Sequence, residues 1–493
     1  MKPTAICRLR GCCIFVILVL GIGACERRQP RTEITRAERV EAGLLPAVLV
    51  HGQPGPPAMK LSARMAHYHV PGVSIAVINH GTVEWAKGYG VLDATGTKTI
   101  TPDTLFQAAS ISKPVTAVAA LALVQAGRLR LDDNVDLQLK SWKVADNEFT
   151  RNEKVTLRRL LNHTAGFNVE DVGSYAAGEP LPTLVQALDG VTPAHSDPIR
   201  VHAIPGAGFR YSGGGYSVVQ QLLIDVTGKP FPDLMQELVL SRVRMASSTF
   251  RQPLPPDLEP VAATAHQITG DPFKGRWFTF PQAAAAGLWT TPSDLAHFAI
   301  EIQRAYRGQS SVLSTDMANQ MLTSQPSGYG LGLWLGGKDQ SRSFSHGGKN
   351  EAFTCMLFAY LETGQGAVVM TNGDGGNGLL NEILRAIAHE YSWPDYQPPE
   401  KTAVPATPEA YPAYAGEYDV RGIRTTIRTN GDRLFLLAPP VWPQPVPLYQ
   451  FGDDRFFLVD EDIDVTFVKD GQGRVISMYV VGGGQTVAAN RVK

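Results

Sequence analysis

The sequence predicts an α+β protein: a two-lobed body made of a sheet with an inserted helical lobe, then a small antiparallel β domain. Three observations lead there. Strand-like apolar runs lie at 73–78, 82–89, 329–335 and 344–371, while helical patterns dominate from 110 to about 227. Strands on either side of a helical middle imply one mixed sheet carrying the helical lobe. Between Trp393 and Pro412 stand six prolines, an extended linker by composition. Beyond it, residues 414–493 alternate short apolar runs with turn signals at Asn430-Gly431, Asp453-Asp454 and Asp470-Gly471-Gln472-Gly473.

The elements follow in chain order. Lys2, Arg8 and Arg10 precede an apolar stretch at 12–22, which has signal-peptide length and is too short to span a bilayer. A polar stretch runs to about Leu44, and His51-Gly52-Gln53-Pro54-Gly55-Pro56-Pro57 reads as a spacer, so the folded body is expected from Met59. The Asn79-His80-Gly81 turn joins the first two runs into a hairpin. A helix at 379–391 closes the body. The expected segments are 1–24 signal peptide, 25–58 anchor and spacer, 59–392 main domain, 393–412 linker and 413–493 β domain.

With 493 residues, 44% hydrophobic and 18% charged, the chain can bury a large core in two or three domains. Its 45 Lys plus Arg nearly cancel 46 Asp plus Glu, and no basic block is interleaved with aromatics, so nucleic-acid binding is disfavoured. Cys7, Cys12 and Cys13 fall in the removable segment and Cys355 stands alone in the body, which excludes a disulfide framework. Cys355 lies in an apolar run and reads as a buried strand residue. His389-Glu390 lacks the second histidine of a zinc motif, Asp132-Asp133-Asn134-Val135-Asp136 lacks the glycine and glutamate of a calcium loop, and no metal or cofactor is expected.

The chemistry concentrates at Ser110-Ile111-Ser112-Lys113, at the head of a helix apolar nearly all round. Residues i and i+3 share a face there, so the amine can reach the hydroxyl. The helix N-terminus turns free N–H groups toward a developing oxyanion. A lysine serves as base only when uncharged, which burial favours. S-x-x-K alone is a common spacing and needs partners. Downstream stand Tyr211-Ser212-Gly213 and His346-Gly347-Gly348-Lys349.

With these motifs the chain resembles the serine β-lactamase and penicillin-binding protein superfamily, in its class C-like branch. Asp103-Thr104-Leu105-Phe106, Leu160-Leu161-Asn162-His163-Thr164-Ala165-Gly166-Phe167, Gly287-Leu288-Trp289-Thr290-Thr291-Pro292 and Tyr329-Gly330-Leu331-Gly332 look like framework segments of that group, over residues 60 to 392. The resemblance implies two lobes, a helix-flanked antiparallel sheet and a helical lobe, meeting at a cleft. It makes Ser110 the nucleophile, Lys113 a partner in proton removal and Tyr211 the proton relay. It places the backbone N–H groups of Ser110 and Lys349 in the oxyanion hole, with His346, Gly347, Gly348 and Gly213 along the substrate. His163 belongs to a framework turn, and Tyr216 packs in the helical lobe.

Gly213 and His346 replace an asparagine and a lysine of that group, which points toward an esterase or D-peptidase-like hydrolase with at most weak β-lactamase action. The alternative is a catalytically poor homologue that binds cell-wall peptides as sensor or scaffold. Specificity is expected from the loops at 166–205 and 264–282. Ile22-Gly23-Ala24-Cys25 also resembles the lipobox of bacterial lipoproteins. That implies a lipid anchor at Cys25 and a place on the periplasmic side of the envelope, the outer membrane favoured because Glu26 is not an inner-membrane aspartate; ordinary cleavage would give secretion.

Overall fold

The computed structural model describes residues 34–52, 59–325, 327–439 and 442–492. The signal-peptide stretch, Cys25 and residues 53–57 of the spacer lie outside the described residues.

Residues 36–493 form one compact unit. Folding therefore starts well before Met59: α1 (Arg36–Ala42) buries Ala37 and Val40, and β1 (Leu49–His51) follows, where the sequence suggested a polar spacer. A seven-residue helix of about two turns and a three-residue strand are too short to leave a periodic pattern, which is why composition hid them.

After α2 (Leu61–His67) the chain enters the hairpin β2 (Gly72–Asn79) and β3 (Thr82–Gly90). His80 and Gly81 turn it with φ of +51° and +71°, the double left-handed turn that matches strand twist. Next come β4 (Phe106–Gln107), α3 (Ser112–Gln125), α4 (Leu157–Leu161) and α5 (Leu184–Asp189). The lobe continues through α6 (Gly213–Thr227), α7 (Phe231–Met235) and α8 (Ala283–Ala286), and β5 (Trp289–Thr290) returns to pair with β4. Long irregular stretches separate these helices, so the helical region is less continuous than the pattern from 110 to 227 suggested. Then follow α9 (Pro292–Tyr306), α10 (Thr315–Met321), β6 (Trp334–Gly336), β7 (Ser343–Asn350), β8 (Phe353–Tyr360), β9 (Gly366–Thr371) and α11 (Gly376–Glu390).

The six strands order as β3-β2-β9-β8-β7-β6, every pair antiparallel, so the sheet is not mixed. Strand alternation divides two cores: Ala76 and Ile78 of β2 join the cluster containing α9 and the helical lobe, while Val73, Ile75 and Val77 join the cluster containing α11. The run at 329–335 yields strand only from Trp334, because Gly332 at φ +96° turns the chain first.

The proline-rich segment is docked and not free. Trp393 is 2% exposed against Phe358 and Tyr360, and β10 (Glu400–Thr402) pairs in parallel with β1. Eight antiparallel strands then close a barrel: β11 (Gly416–Val420), β12 (Ile423–Asn430), β13 (Arg433–Ala438), β14 (Trp442–Gly452), β15 (Arg455–Leu458), β16 (Ile463–Lys469), β17 (Val475–Gly482) and β18 (Gln485–Arg491). Tyr418, Leu434, Phe456, Val465 and Met478 form its packed core, as expected of an eight-stranded barrel. Ala47 and Val48 donate their N–H groups to the Val459 carbonyl at 2.9 and 3.2 Å, and Val48 packs on Tyr449 and Phe457, so the N-terminal strand is sewn to the barrel. Arg64 of α2 also bridges to buried Glu382 of α11 at 2.6 Å and to Asp460 of the barrel domain at 3.6 Å.

Candidate active site

Ser110 stands on a single 3-10 turn, Ala109–Ile111, between β4 and α3. Ala109 holds a φ of +46°, a left-handed conformation that costs about 1–3 kcal/mol in a residue with a Cβ and persists only where neighbours over-determine it. The neighbours are visible. Ala108 N–H donates to Leu288 O at 2.8 Å, Leu288 N–H donates to Ser112 Oγ at 3.0 Å, and Ser112 Oγ–H donates to Ala109 O at 2.6 Å. Leu288 thus clamps the turn on both sides of the strained residue. Helix α3 is buried from Ser112 to Leu123, so its first turn is fixed within the core.

Lys113 is 3% exposed, and its Nζ lies 2.9 Å from Ser110 Oγ and 2.9 Å from the Ala285 carbonyl of α8. The Tyr211 ring centroid is 5.0 Å from the same nitrogen. Two segments distant in sequence, the turn into α3 and the stretch just before α6, therefore bring Ser110, Lys113 and Tyr211 together. The hydroxyl–amine contact is short enough for proton transfer in either direction.

Strand β7 supplies the opposite edge. It pairs with β8 throughout, but β6 covers only residues 343–345, leaving 346–350 without a strand partner on that side. At Gly348 a Cβ would sit 2.2 Å from Ala108 O and 2.6 Å from Cys355 Sγ, so only glycine lets this strand approach the nucleophile turn. Cys355 is buried on β8 with its thiol pushed up by burial, the inert strand cysteine the sequence suggested. Gly347 is partly exposed and sterically unconstrained by comparison, with Met356 the nearest side chain at 3.4 Å.

His346 carries no cation into the site. Its Nδ1–H donates to Gly347 O at 2.6 Å and its Nε2 accepts from Tyr329 OH at 3.1 Å. Burial, reinforced by nearby Lys113, lowers its pKa to about 3. A neutral ring thus stands at the position that the sequence resemblance compares with a lysine.

Gly213 is explained by what covers it. Its N–H donates to Glu170 O at 2.7 Å, and a Cβ there would meet that oxygen at 2.7 Å and Val172 Cγ1 at 3.1 Å. Backbone and Val172 occupy the space that an asparagine would need, and the lysine contact such a side chain would make is supplied by Ala285 O.

The cleft has a volume of about 490 Å³. Ser110, Lys113, Gly213 and Lys349 line it together with Val172, Phe273, Phe280 and Ala286, an apolar wall, and with Glu170, Asp171, Glu351 and Asp374. Lys349 lies 3.9 Å from Asp374. The loops at 166–205 and 264–282 both contribute, as expected. The individual residues Val172, Phe273 and Phe280 were not singled out, since an apolar residue in an irregular loop carries no sequence signal of its direction. No cluster of metal-ligating side chains occurs among the described residues. Asp132 pairs with Arg158 at 2.7 Å, and Asn134 caps a 3-10 turn.

Tyr216 is fully buried, its hydroxyl donating to Leu161 O at 2.9 Å. His163 is 2% exposed behind Tyr211, the two ring centroids 4.2 Å apart.

The fold is that of the serine β-lactamase and penicillin-binding protein superfamily. Residues 59–391 match the family model described as Beta-lactamase, and the chain belongs to this family of serine hydrolases. Protein flp of Staphylococcus aureus strain MW2 is 26% identical over 322 residues, 62% of this chain, and the chain spans 60% of that relative's length. The octameric penicillin-binding protein homologue from Pyrococcus abyssi superposes with a TM-score of 0.58 at 22% identity, over 87% of this chain and 98% of that one. The D-amino acid amidase from Ochrobactrum anthropi SV3 superposes with a TM-score of 0.53 at 22% identity, over 66% and 96%. At such identities these structures speak for the fold alone.

Proposed function

We propose that the protein hydrolyses esters or amides of small D-amino acids or D-peptides through an acyl-enzyme on Ser110. The 2.9 Å contact between Lys113 Nζ and Ser110 Oγ, at the wall of an open cleft, is the observation that carries the reading.

Ser110 Oγ attacks the substrate carbonyl as its proton passes to the Lys113 amine. The C–O bond forms, and the oxyanion rests on the N–H groups of Ser110 and Lys349. Collapse breaks the bond to the leaving alkoxide or amine, which takes a proton relayed through Tyr211. Water then attacks the acyl-enzyme, losing its proton along the same route, and Ser110 is regenerated. The neutral His346 ring and the filled space at Gly213 disfavour recognition of a β-lactam carboxylate and amide, so cephalosporin turnover is weak. The apolar wall of Val172, Phe273 and Phe280 suits an apolar acyl or side chain, and the choice of D-amino acid substrates draws on the name of the D-amino acid amidase of like fold.

The test is hydrolysis of p-nitrophenyl esters, D-aminoacyl amides, D-alanyl peptides and nitrocefin, alongside fluorophosphonate labelling. Ser110→Ala should abolish labelling and lower turnover at least about a thousandfold. Labelling that survives the substitution refutes the mechanism, and absence of both labelling and turnover in the wild type favours a peptide-binding homologue.

A further inference from the structure

We infer that His163 is a positioning residue for Tyr211, holding the phenol in place by its ring and by the peptide groups on both sides of the tyrosine; this rests on the reading of Tyr211 as the proton relay.

Two hydrogen bonds bracket Tyr211. Arg210 N–H donates to the His163 carbonyl at 2.7 Å, and Ser212 N–H donates to His163 Nδ1 at 3.1 Å. Between them the imidazole lies tilted on the phenol ring at 4.2 Å and 35°. One residue therefore fixes the backbone before the tyrosine, the backbone after it and the face of its ring. The backbone of His163 is itself left-handed, φ +60°, a conformation that non-glycine residues adopt at a cost. That conformation lets the carbonyl and the ring of one residue reach successive peptide groups.

The ring cannot be the base. Nδ1 is occupied as an acceptor, so the proton sits on Nε2, which is buried without a partner among the described residues. Burial and the nearby Lys113 oppose a second proton. Phe209 and Tyr329 close around the ring at 5.8 and 4.9 Å, and Tyr216 at 5.4 Å. His163 is thus a rigid neutral plate between the packed lobe and the phenol. Ser212 extends the bracket: its Oγ–H donates to Val169 O at 2.5 Å and its Oγ accepts from Gly215 N–H at 3.0 Å, so the tyrosine turn runs directly into α6.

Misplacing a catalytic group by about 1 Å costs on the order of a hundredfold. The loss should depend on the leaving group, because p-nitrophenolate leaves without a proton and an amine does not. The experiment compares an ester and an amide of one acyl group in the full-length protein and in His163→Ala, His163→Asn, Tyr211→Phe and the His163→Ala/Tyr211→Phe double variant. In His163→Ala, kcat/KM, which reports acylation and not the shared deacylation step that also runs through Tyr211, should fall ten- to a hundredfold on the amide and less than fivefold on the p-nitrophenyl ester. His163→Asn keeps an acceptor near the Nδ1 position and tolerates the left-handed backbone, so it should recover part of the loss. In the double variant the histidine change should add nearly nothing. Equal losses on ester and amide, or additive losses in the double variant, make His163 merely structural and overturn the inference. A Tyr211→Phe variant as active as wild type on the amide, or a wild type inactive on both substrates, instead overturns the proposed mechanism on which it rests. Folding is controlled by the thermal midpoint: should His163→Ala fail to fold, the ester-to-amide ratio of His163→Asn decides, a ratio unchanged from wild type counting against the inference only where Tyr211→Phe shifts it.

Discussion

Placing asparagine at position 213 should damage this protein. The Gly213→Asn substitution places a Cβ 2.7 Å from the Glu170 carbonyl oxygen and 3.1 Å from Val172 Cγ1, against the 3.4 Å or more of ordinary contact. The oxygen cannot swing away without cost, because it accepts the Gly213 N–H at 2.7 Å. Relief means displacing residues 170–172 by several tenths of an ångström, and this segment forms one wall of the cleft. Overpacking of this kind costs about 1–3 kcal/mol, and loss of the hydrogen bond adds about 1 kcal/mol. Across a body of about 330 residues, 1 kcal/mol corresponds to between 1 and 2 °C in midpoint, so the thermal transition should fall by roughly 2–8 °C. Turnover of D-aminoacyl substrates should fall with it, and nitrocefin turnover should not rise. Differential scanning fluorimetry and steady-state kinetics on the same preparations read both. A variant with unchanged midpoint and nitrocefin activity raised tenfold would refute the argument, showing that residues 170–172 yield freely and that the glycine alone restrains β-lactam recognition.

Two further predictions concern acid and lipid. His346, pKa about 3, and His163, held well below its ordinary 6.5, are both neutral in the folded protein. Below about pH 6.5 the unfolded chain binds a proton at each that the folded chain refuses, so stability present above 6.5 is lost as pH falls, by roughly 1 kcal/mol per unit per histidine. Urea midpoints between pH 7 and 5 should therefore drop less steeply in His346→Gln than in wild type, and identical slopes would count against a neutral buried His346. The proposed anchor at Cys25 predicts that a palmitate analogue fed to expressing bacteria labels the wild type and not Cys25→Ala; equal labelling of both, or none of the wild type, removes the anchor.

Much of the site was legible because its chemistry needs particular side chains at local spacings. Ser110 and Lys113 are one helical turn apart, and Gly347-Gly348 resemble the glycines that let a substrate lie along a strand edge, although they do not by themselves reveal the close approach of Gly348 to Ala108. The hairpin at His80-Gly81 and the buried helix α3 were equally plain, one from its turn residues and the other from apolarity on all sides. What escaped was non-local or unpatterned. Nothing about alanine announces a left-handed residue at 109, since that strain is imposed by Leu288, nearly 180 positions away. His163 could be placed in a framework turn, but that its ring meets Tyr211 depends on two loops crossing. The proline-rich segment read as a tether by composition, yet Trp393 and three residues of β10 are enough to fasten it down.

That fastening decides how the two halves of the molecule can move. Because β1 lies upstream of the main body and yet pairs with β10, while Ala47 and Val48 just before it donate to Val459, this upstream segment is laced to the region of the barrel. The barrel is consequently not a pendant that swings on a hinge, and a fragment starting at Met59 would leave Ala403, Tyr449 and Phe457 without their apolar cover. Body and barrel behave as one keyed assembly, in which the short upstream strand is the pin.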